Sequence, residues 1–247
     1  MTRRKVPQIG LLFWVIKVLT TAMGEVTSDY LVRTFNPVIV VPLAALGLAA
    51  ALLWQLRARR YVPWIYWLAV VMVAIFGTMA ADVLHIELGI PYLVSTGFFA
   101  VSLAVIFGAW QASEGTLSIH SIDTRRRELF YWATVLATFA LGTATGDMTA
   151  STLGLGYLDS GFLFAVLFVI PALGYRFAGL NAIVAFWLAY ILTRPFGASF
   201  ADWVGRPRSL SGLGLGTGSV SLVLAIVILI LVGYLSLRDR APEESYA

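Results

Sequence analysis

The chain has 247 residues, of which 60% are hydrophobic and 12% charged, and its mean hydropathy is +0.86. Such a balance excludes an ordinary soluble domain and places the chain in a bilayer. The formal charge of +4 comes from basic residues at the ends of apolar runs, so it is no sign of nucleic-acid binding, and the lack of cysteine excludes disulfides, thiolate ligands and thiol redox chemistry.

Apolar stretches long enough to cross about 30 Å of hydrocarbon as helices fall at 9–29, 37–56, 63–83, 91–111, 129–149, 158–176, 180–202 and 214–236. They are too long and too evenly apolar for barrel strands, so the expected fold is an all-α integral membrane protein with eight transmembrane helices. The first span follows Thr2-Arg3-Arg4-Lys5 but lacks a small-residue cleavage site and carries Lys17 and Glu25, so it is read as a retained helix and not a secretory signal. Arg3, Arg4, Lys5, Arg57, Arg59, Arg60, Arg125, Arg126, Arg127, Arg176, Arg238 and Arg240 share one side, against Arg33, Arg206 and Arg208 on the other. The positive-inside rule then predicts cytoplasmic N and C termini.

Four of the eight tryptophans are followed ten residues later by glycine and fifteen residues later by aspartate: Trp14/Gly24/Asp29, Trp67/Gly77/Asp82, Trp132/Gly142/Asp147 and Trp187/Gly197/Asp202. A constant internal spacing at four places marks an internal repeat. Each copy is a helix pair, approximately 9–60, 61–113, 127–178 and 179–238, within a single membrane domain that covers 1–247. A cytoplasmic loop at 112–128 is expected between the halves, and a flexible tail at 239–247. Two spans per copy make all four enter from the same side, so the repeats are parallel, with pseudo-fourfold or nested twofold symmetry. The turns before the second helix also agree, as in Leu88-Gly89-Ile90-Pro91-Tyr92, Leu153-Gly154-Leu155-Gly156-Tyr157 and Leu213-Gly214-Leu215-Gly216-Thr217, while repeat one is shortened to Phe35-Asn36-Pro37.

Four residues after each repeat glycine stands another small residue: Ser28, Ala81, Gly146 and Ala201. Small residues four apart let membrane helices approach closely, which predicts that the odd-numbered helices form an inner ring. The tryptophans, near the cytoplasmic ends of their spans, are expected to act as interfacial anchors. Fifteen residues at about 1.5 Å each set the aspartates some 22 Å further on, in one layer of the outer membrane half.

Carboxylates are costly in hydrocarbon and mark ion or proton paths there, so Asp29, Asp82, Asp147 and Asp202 are the candidate ion-binding residues, joined by Glu25. The same five are the candidate metal ligands. Lys17, Thr21, Glu25 and Asp29 follow at intervals of four along one drifting helix face, which should look into the protein. Lys17 and Arg194 are read as internal charge partners of these carboxylates. Thr20, Thr138 and Thr193 are expected to bond their own backbone rather than a ligand. His85, Glu87 and Asp159 at the outer helix ends remain weak candidates for an entrance.

The four copies, each with two helices and a W-x9-G-x4-D pattern, resemble the bacterial multi-pass membrane family defined by a repeat of unknown function, sometimes labelled uncharacterised membrane-anchored proteins. The resemblance covers nearly the whole chain and implies eight helices in a bacterial cytoplasmic (inner) membrane, but no assigned activity. The chain carries no Walker loop, nucleotide fingerprint, H-E-x-x-H helix or G-x-S-x-G elbow, so no enzyme is expected. The residues point to a secondary transporter or exporter of a cation. A hard divalent metal such as manganese or magnesium suits carboxylate and threonine ligands, possible exchange for protons being part of that expectation. Proton-coupled transport of a small organic solute and a membrane scaffold or sensor are the alternatives. The expected partners are the lipid bilayer and a small cation or proton, with no covalently bound cofactor and no nucleic acid.

Overall fold

A computed structural model describes residues 4–238, apart from the side chains at 86 and 87. Arg3, Arg240, the side chain of Glu87 and the tail at 239–247 therefore lie outside the described residues. The chain forms eight helices: α1 (Leu11–Thr34), α2 (Pro37–Arg57), α3 (Pro63–Asp82), α4 (Tyr92–Glu114), α5 (Arg125–Asp147), α6 (Gly156–Phe177), α7 (Ala182–Gly205) and α8 (Thr217–Arg238). All eight are long and apolar enough to cross a membrane, and no strand occurs among the described residues. The chain is a multi-pass membrane protein built from an internal repeat.

Local chemistry sets the helix ends. Asn36 accepts a hydrogen bond from the Val38 amide with Pro37 opening α2, Thr124 accepts one from the Arg127 amide, and Asn181 accepts from Ile183 and Val184; each satisfies donors that the first turn leaves orphaned. Gly115 closes α4 at φ +70°, a left-handed conformation in which a side chain would be strained. The connection expected at 112–128 is correspondingly shorter, since α4 runs to Glu114 and α5 starts at Arg125, with a short 3₁₀ turn at Ile119–Ser121. Beyond Asp82 and Asp147 the helices continue through one π-helical turn each, Val83–Glu87 and Met148–Thr152, whereas α1 and α7 pass their aspartates as ordinary α-helix.

The odd helices are the inner ring. Between 56% and 67% of their apolar windows is buried, against 17–22% for the even helices, which face the lipid. Ring neighbours are α1 and α3, α3 and α5, α5 and α7, and α7 and α1, while each outer helix braces the inner helix of the following repeat: α2 on α3, α4 on α5, α6 on α7 and α8 on α1. The ring is thus continuous, and the connection between repeats two and three is no break in it.

The repeat glycines explain the closure. A Cβ on Gly24 would strike Ala74, one on Gly77 would press on Phe139, one on Gly142 would strike Arg194, and one on Gly197 would strike Thr21. Every partner lies seven residues after the tryptophan of the next repeat around the ring. A close approach recurs at all four interfaces, and at Gly24, Gly142 and Gly197 a side chain would overlap its neighbour. The two ends of the described residues share one face of the bundle, where Arg4, Gly10, Tyr234 and Arg238 line a common cavity; that end is called the termini face below, and the opposite end the distal face.

The tryptophans do not serve as the interfacial anchors expected of them. Trp67, Trp132 and Trp187 are buried, and Trp14 is half-buried against Phe13, Phe168 and Phe186. At about 100° per residue, a tryptophan and the positions 7, 11 and 15 residues beyond it lie on one helix side, so the face that looks inward at the aspartate also looks inward at the tryptophan.

Candidate functional site

The inner ring is layered along its axis, and each layer draws one residue from each repeat. Nearest the termini face are Phe13, Tyr66, Tyr131 and Phe186, one residue before each tryptophan and all buried. They pack edge-on against the tryptophans, and the Tyr66 and Tyr131 hydroxyls lie 2.5 Å apart. This aromatic seal closes the axis. Below it, Lys5 contributes Nζ to Glu128 at 2.6 Å, and the Gln55 amide donates to the other Glu128 oxygen at 3.0 Å, so the N-terminal segment is tied across the bundle end.

The next layer contains Lys17, whose counterparts are Val70, Val135 and Tyr190. Its Nζ is fully buried, has no hydrogen-bond partner among the described residues, and lies 4.2 Å and 4.3 Å from the ring centres of Phe139 and Tyr190. The expectation that Lys17 pairs with Glu25 or an aspartate is not met: none of its contacts among the described residues is a carboxylate. Glu25 is eight residues further along the same helix, a rise of about 12 Å, and Lys17's own layer carries no acid.

Arg194 does pair, and it is the hub of the ring. Its Nη2 donates to Glu25 Oε2 at 2.6 Å, to Thr143 Oγ1 at 2.7 Å and to the Thr78 hydroxyl, while Nη1 donates to the Thr21 carbonyl at 3.3 Å. Glu25, Thr78 and Thr143 occupy the same repeat position, eleven residues after their tryptophans; the fourth member is Ala198. One guanidinium therefore ties three repeats to the fourth, and Ala198, one turn beyond Arg194 on α7, leaves the centre open for it. Thr78 and Thr143 donate their hydroxyl hydrogen bonds to the Ala74 and Phe139 carbonyls, leaving their oxygens to accept from Arg194. Thr20, Thr138 and Thr193 bond the carbonyls three residues back, as expected of membrane threonines.

The aspartates form the layer above. Asp29, Asp82 and Asp147 line one cavity of about 270 Å³ toward the distal face, together with Tyr92, Tyr157, Arg33 and Arg206. Asp202 is buried beside it and joined to it through Arg206, whose Nε donates to Asp202 Oδ1 at 2.8 Å and whose Nη2 lies 3.0 Å from Asp29 Oδ2. Arg33 approaches Asp29 at 3.7 Å. Burial alone would lower the basicity of Arg206, but Asp202 and Asp29 outweigh it and hold the guanidinium above its ordinary range. Glu25, Asp147 and Asp202 each offer an oxygen within 4.8 Å of the other two. That separation suits oxygens on a single hard cation, which lie about 2.0–2.6 Å from the ion. Arg194 and Arg206 donate to one oxygen each of Glu25 and Asp202, at Oε2 and Oδ1.

Arg206, Tyr92 and Tyr157 were not among the candidates, although their signals are present in the sequence. Arg206 follows Asp202 by four residues, as Arg33 follows Asp29, the spacing of a helical ion pair. Tyr92 and Tyr157 hold the same place in the aligned turns. His85 bonds the Ile90 carbonyl at 3.1 Å and lies against Tyr92, so it serves the turn and not the cavity, and Asp159 is exposed.

The family model described as Repeat of Unknown Function (DUF347) matches the chain four times, at residues 12–61, 65–116, 130–179 and 185–241. Neither the curated proteins nor the solved structures contain a match.

Proposed function

Because the chain belongs to the DUF347 repeat family, whose function is unknown, its activity has to be read from its own site, and we propose that it is a secondary transporter of a cation in a bacterial cytoplasmic membrane. The cargo in this reading is a hard divalent metal such as manganese, carried by Glu25, Asp147 and Asp202, with Asp29 and Asp82 lining the approach and protons moving in exchange. Both termini are cytoplasmic in this reading, by the excess of basic residues on their side. The observation that carries it is the convergence of Glu25, Asp147 and Asp202 oxygens within 4.8 Å beside a cavity that Asp147 lines together with Asp29 and Asp82.

Two features favour alternating access over an axial channel. Arg194 fills the axis with bonds to Glu25, Thr78 and Thr143, and the seal of Phe13, Tyr66, Tyr131 and Phe186 lies across the path to the termini face. A cavity of about 270 Å³ has room for an ion with several waters, at roughly 30 Å³ per water. The arginine and tyrosine rim keeps one alternative in view, the proton-coupled movement of a small organic solute with an anionic group.

The test is flux into proteoliposomes of purified protein, comparing manganese, magnesium and zinc while recording proton movement. Saturable manganese or magnesium flux that vanishes in Asp147→Asn supports the reading. Absence of any metal flux, alongside uptake of an organic anion, overturns it.

A further inference from the structure

Lys17 is a fully buried cation that the cation site leaves unused. An ammonium between two aromatic faces regains part of its lost hydration from their negative faces, while a buried lysine also changes protonation state readily. With Phe139 and Tyr190 on its flanks and no hydrogen bond to break, the same pocket accepts both the ammonium and the amine.

Its position links this choice to the cation site. The Phe139 ring meets Lys17 Nζ at 4.2 Å and the Arg194 guanidinium carbon at 5.6 Å, so both cations contact one ring. Arg194 in turn holds Glu25. A proton on Lys17 places a second positive charge beside the guanidinium, where low dielectric makes repulsion strong, and a metal at Glu25, Asp147 and Asp202 would add a third. The charged or titratable groups facing Lys17 are Tyr190 and Arg194 from α7; α3 presents Val70 at this height and Tyr66 below it, and α5 presents Val135 and Phe139, with Tyr131 below. Ionisable residues on α2 and α8 occur only toward the termini face, at Arg57, Tyr234 and Arg238.

Tyrosines lie between Lys17 and that face. Tyr61 lines the cavity of about 900 Å³ there, and its ring packs edge-on against Tyr66 at 5.7 Å. Tyr66 and Tyr131 share a hydrogen bond of 2.5 Å, and Lys17 lies over the Tyr190 ring, but neither Lys17 Nζ nor the Tyr190 hydroxyl has a hydrogen-bond partner among the described residues, so no unbroken hydrogen-bonded path reaches the amine.

We propose that Lys17 is the proton-binding residue of the exchange: a proton on its amine and a cation at Glu25, Asp147 and Asp202 oppose each other. The inference rests on the cation-transport reading above. When the cation binds, one N–H bond of the ammonium breaks and its proton passes to water; when the cation departs, the amine recovers one.

The experiment is manganese titration of the purified full-length protein in weakly buffered lipid nanodiscs, counting protons released and measuring Kd across a pH series. Lys17→Met is expected to fold, since it removes a buried charge and keeps the side chain's length. It should release one proton fewer per ion, with a slope of log Kd against pH shallower by about one. Lys17→Arg, with a fixed charge, should also lose that proton and bind manganese at least about tenfold more weakly than Lys17→Met. Unchanged proton count and slope in both Lys17 variants would overturn the inference while leaving the cation site standing. Wild-type protein that binds neither manganese nor magnesium overturns the transport reading and this inference with it.

Discussion

Gly142 on α5 lies directly beneath the Arg194 side chain of α7, so close that a Cβ at Gly142 would overlap the Arg194 methylenes. The repeat glycine of the third copy is thus what lets the arginine of the fourth reach the axis.

Gly142→Ala should push Arg194 from its bonds with Glu25, Thr78 and Thr143 and destabilise the protein by about 1–3 kcal/mol, the usual range for overpacking. Gly146→Ala is the control, because its Cβ would meet Pro195 at an ordinary 3.7 Å. The control should be neutral or gain up to about 1 kcal/mol from reduced backbone freedom. Unfolding in detergent, read for both variants, checks the contrast; equal losses would mean that the close approach to Arg194 has no special weight.

Arg194→Gln removes the partner of a fully buried carboxylate, and breaking such a pair costs about 3–5 kcal/mol. The double variant Glu25→Gln with Arg194→Gln should recover most of that loss, since no uncompensated charge remains. A double-mutant cycle measured by thermal unfolding decides it, and additive losses would show that Glu25 and Arg194 act independently.

Among the described residues Asp147 forms no ion pair with an arginine, unlike Asp29 and Asp202. Asp147→Asn should therefore keep the wild-type melting temperature and lose cation affinity by at least about tenfold. Asp202→Asn should lose both, because it also releases Arg206. Calorimetric titration with manganese beside a melting curve separates the two; a stable Asp147→Asn protein with unchanged affinity would remove Asp147 from the ligand set.

Lys5→Met leaves Glu128 buried with the Gln55 amide as its one remaining side-chain partner among the described residues. The expected cost is again about 3–5 kcal/mol, and pairing it with Glu128→Gln should restore stability. The measurement is protease sensitivity of the segment before α1 together with unfolding, where loosening confined to the single variant is the expected result.

The sequence by itself determined the eight spans, the four parallel repeats and the repeated aspartates, because apolar length and constant spacing are local properties of the chain. It also marked the glycines as sites of close helix approach. What it did not carry was the direction of closure around the ring, since nothing in one helix says which neighbour its glycine will meet. Lys17 and Arg194 read alike as buried cations in need of acids, yet they differ in height on the axis: Arg194 shares a level with Glu25, and Lys17 shares one with valines and a tyrosine. Likewise the tryptophans read as headgroup anchors until the ring turned their face inward. Only tertiary structure brings four helices to one axis, and the side chains that meet there, Arg194 with Glu25, Arg206 with Asp29 and Asp202, are set by rotation and height of separate helices, quantities that hydropathy and spacing within each helix leave free.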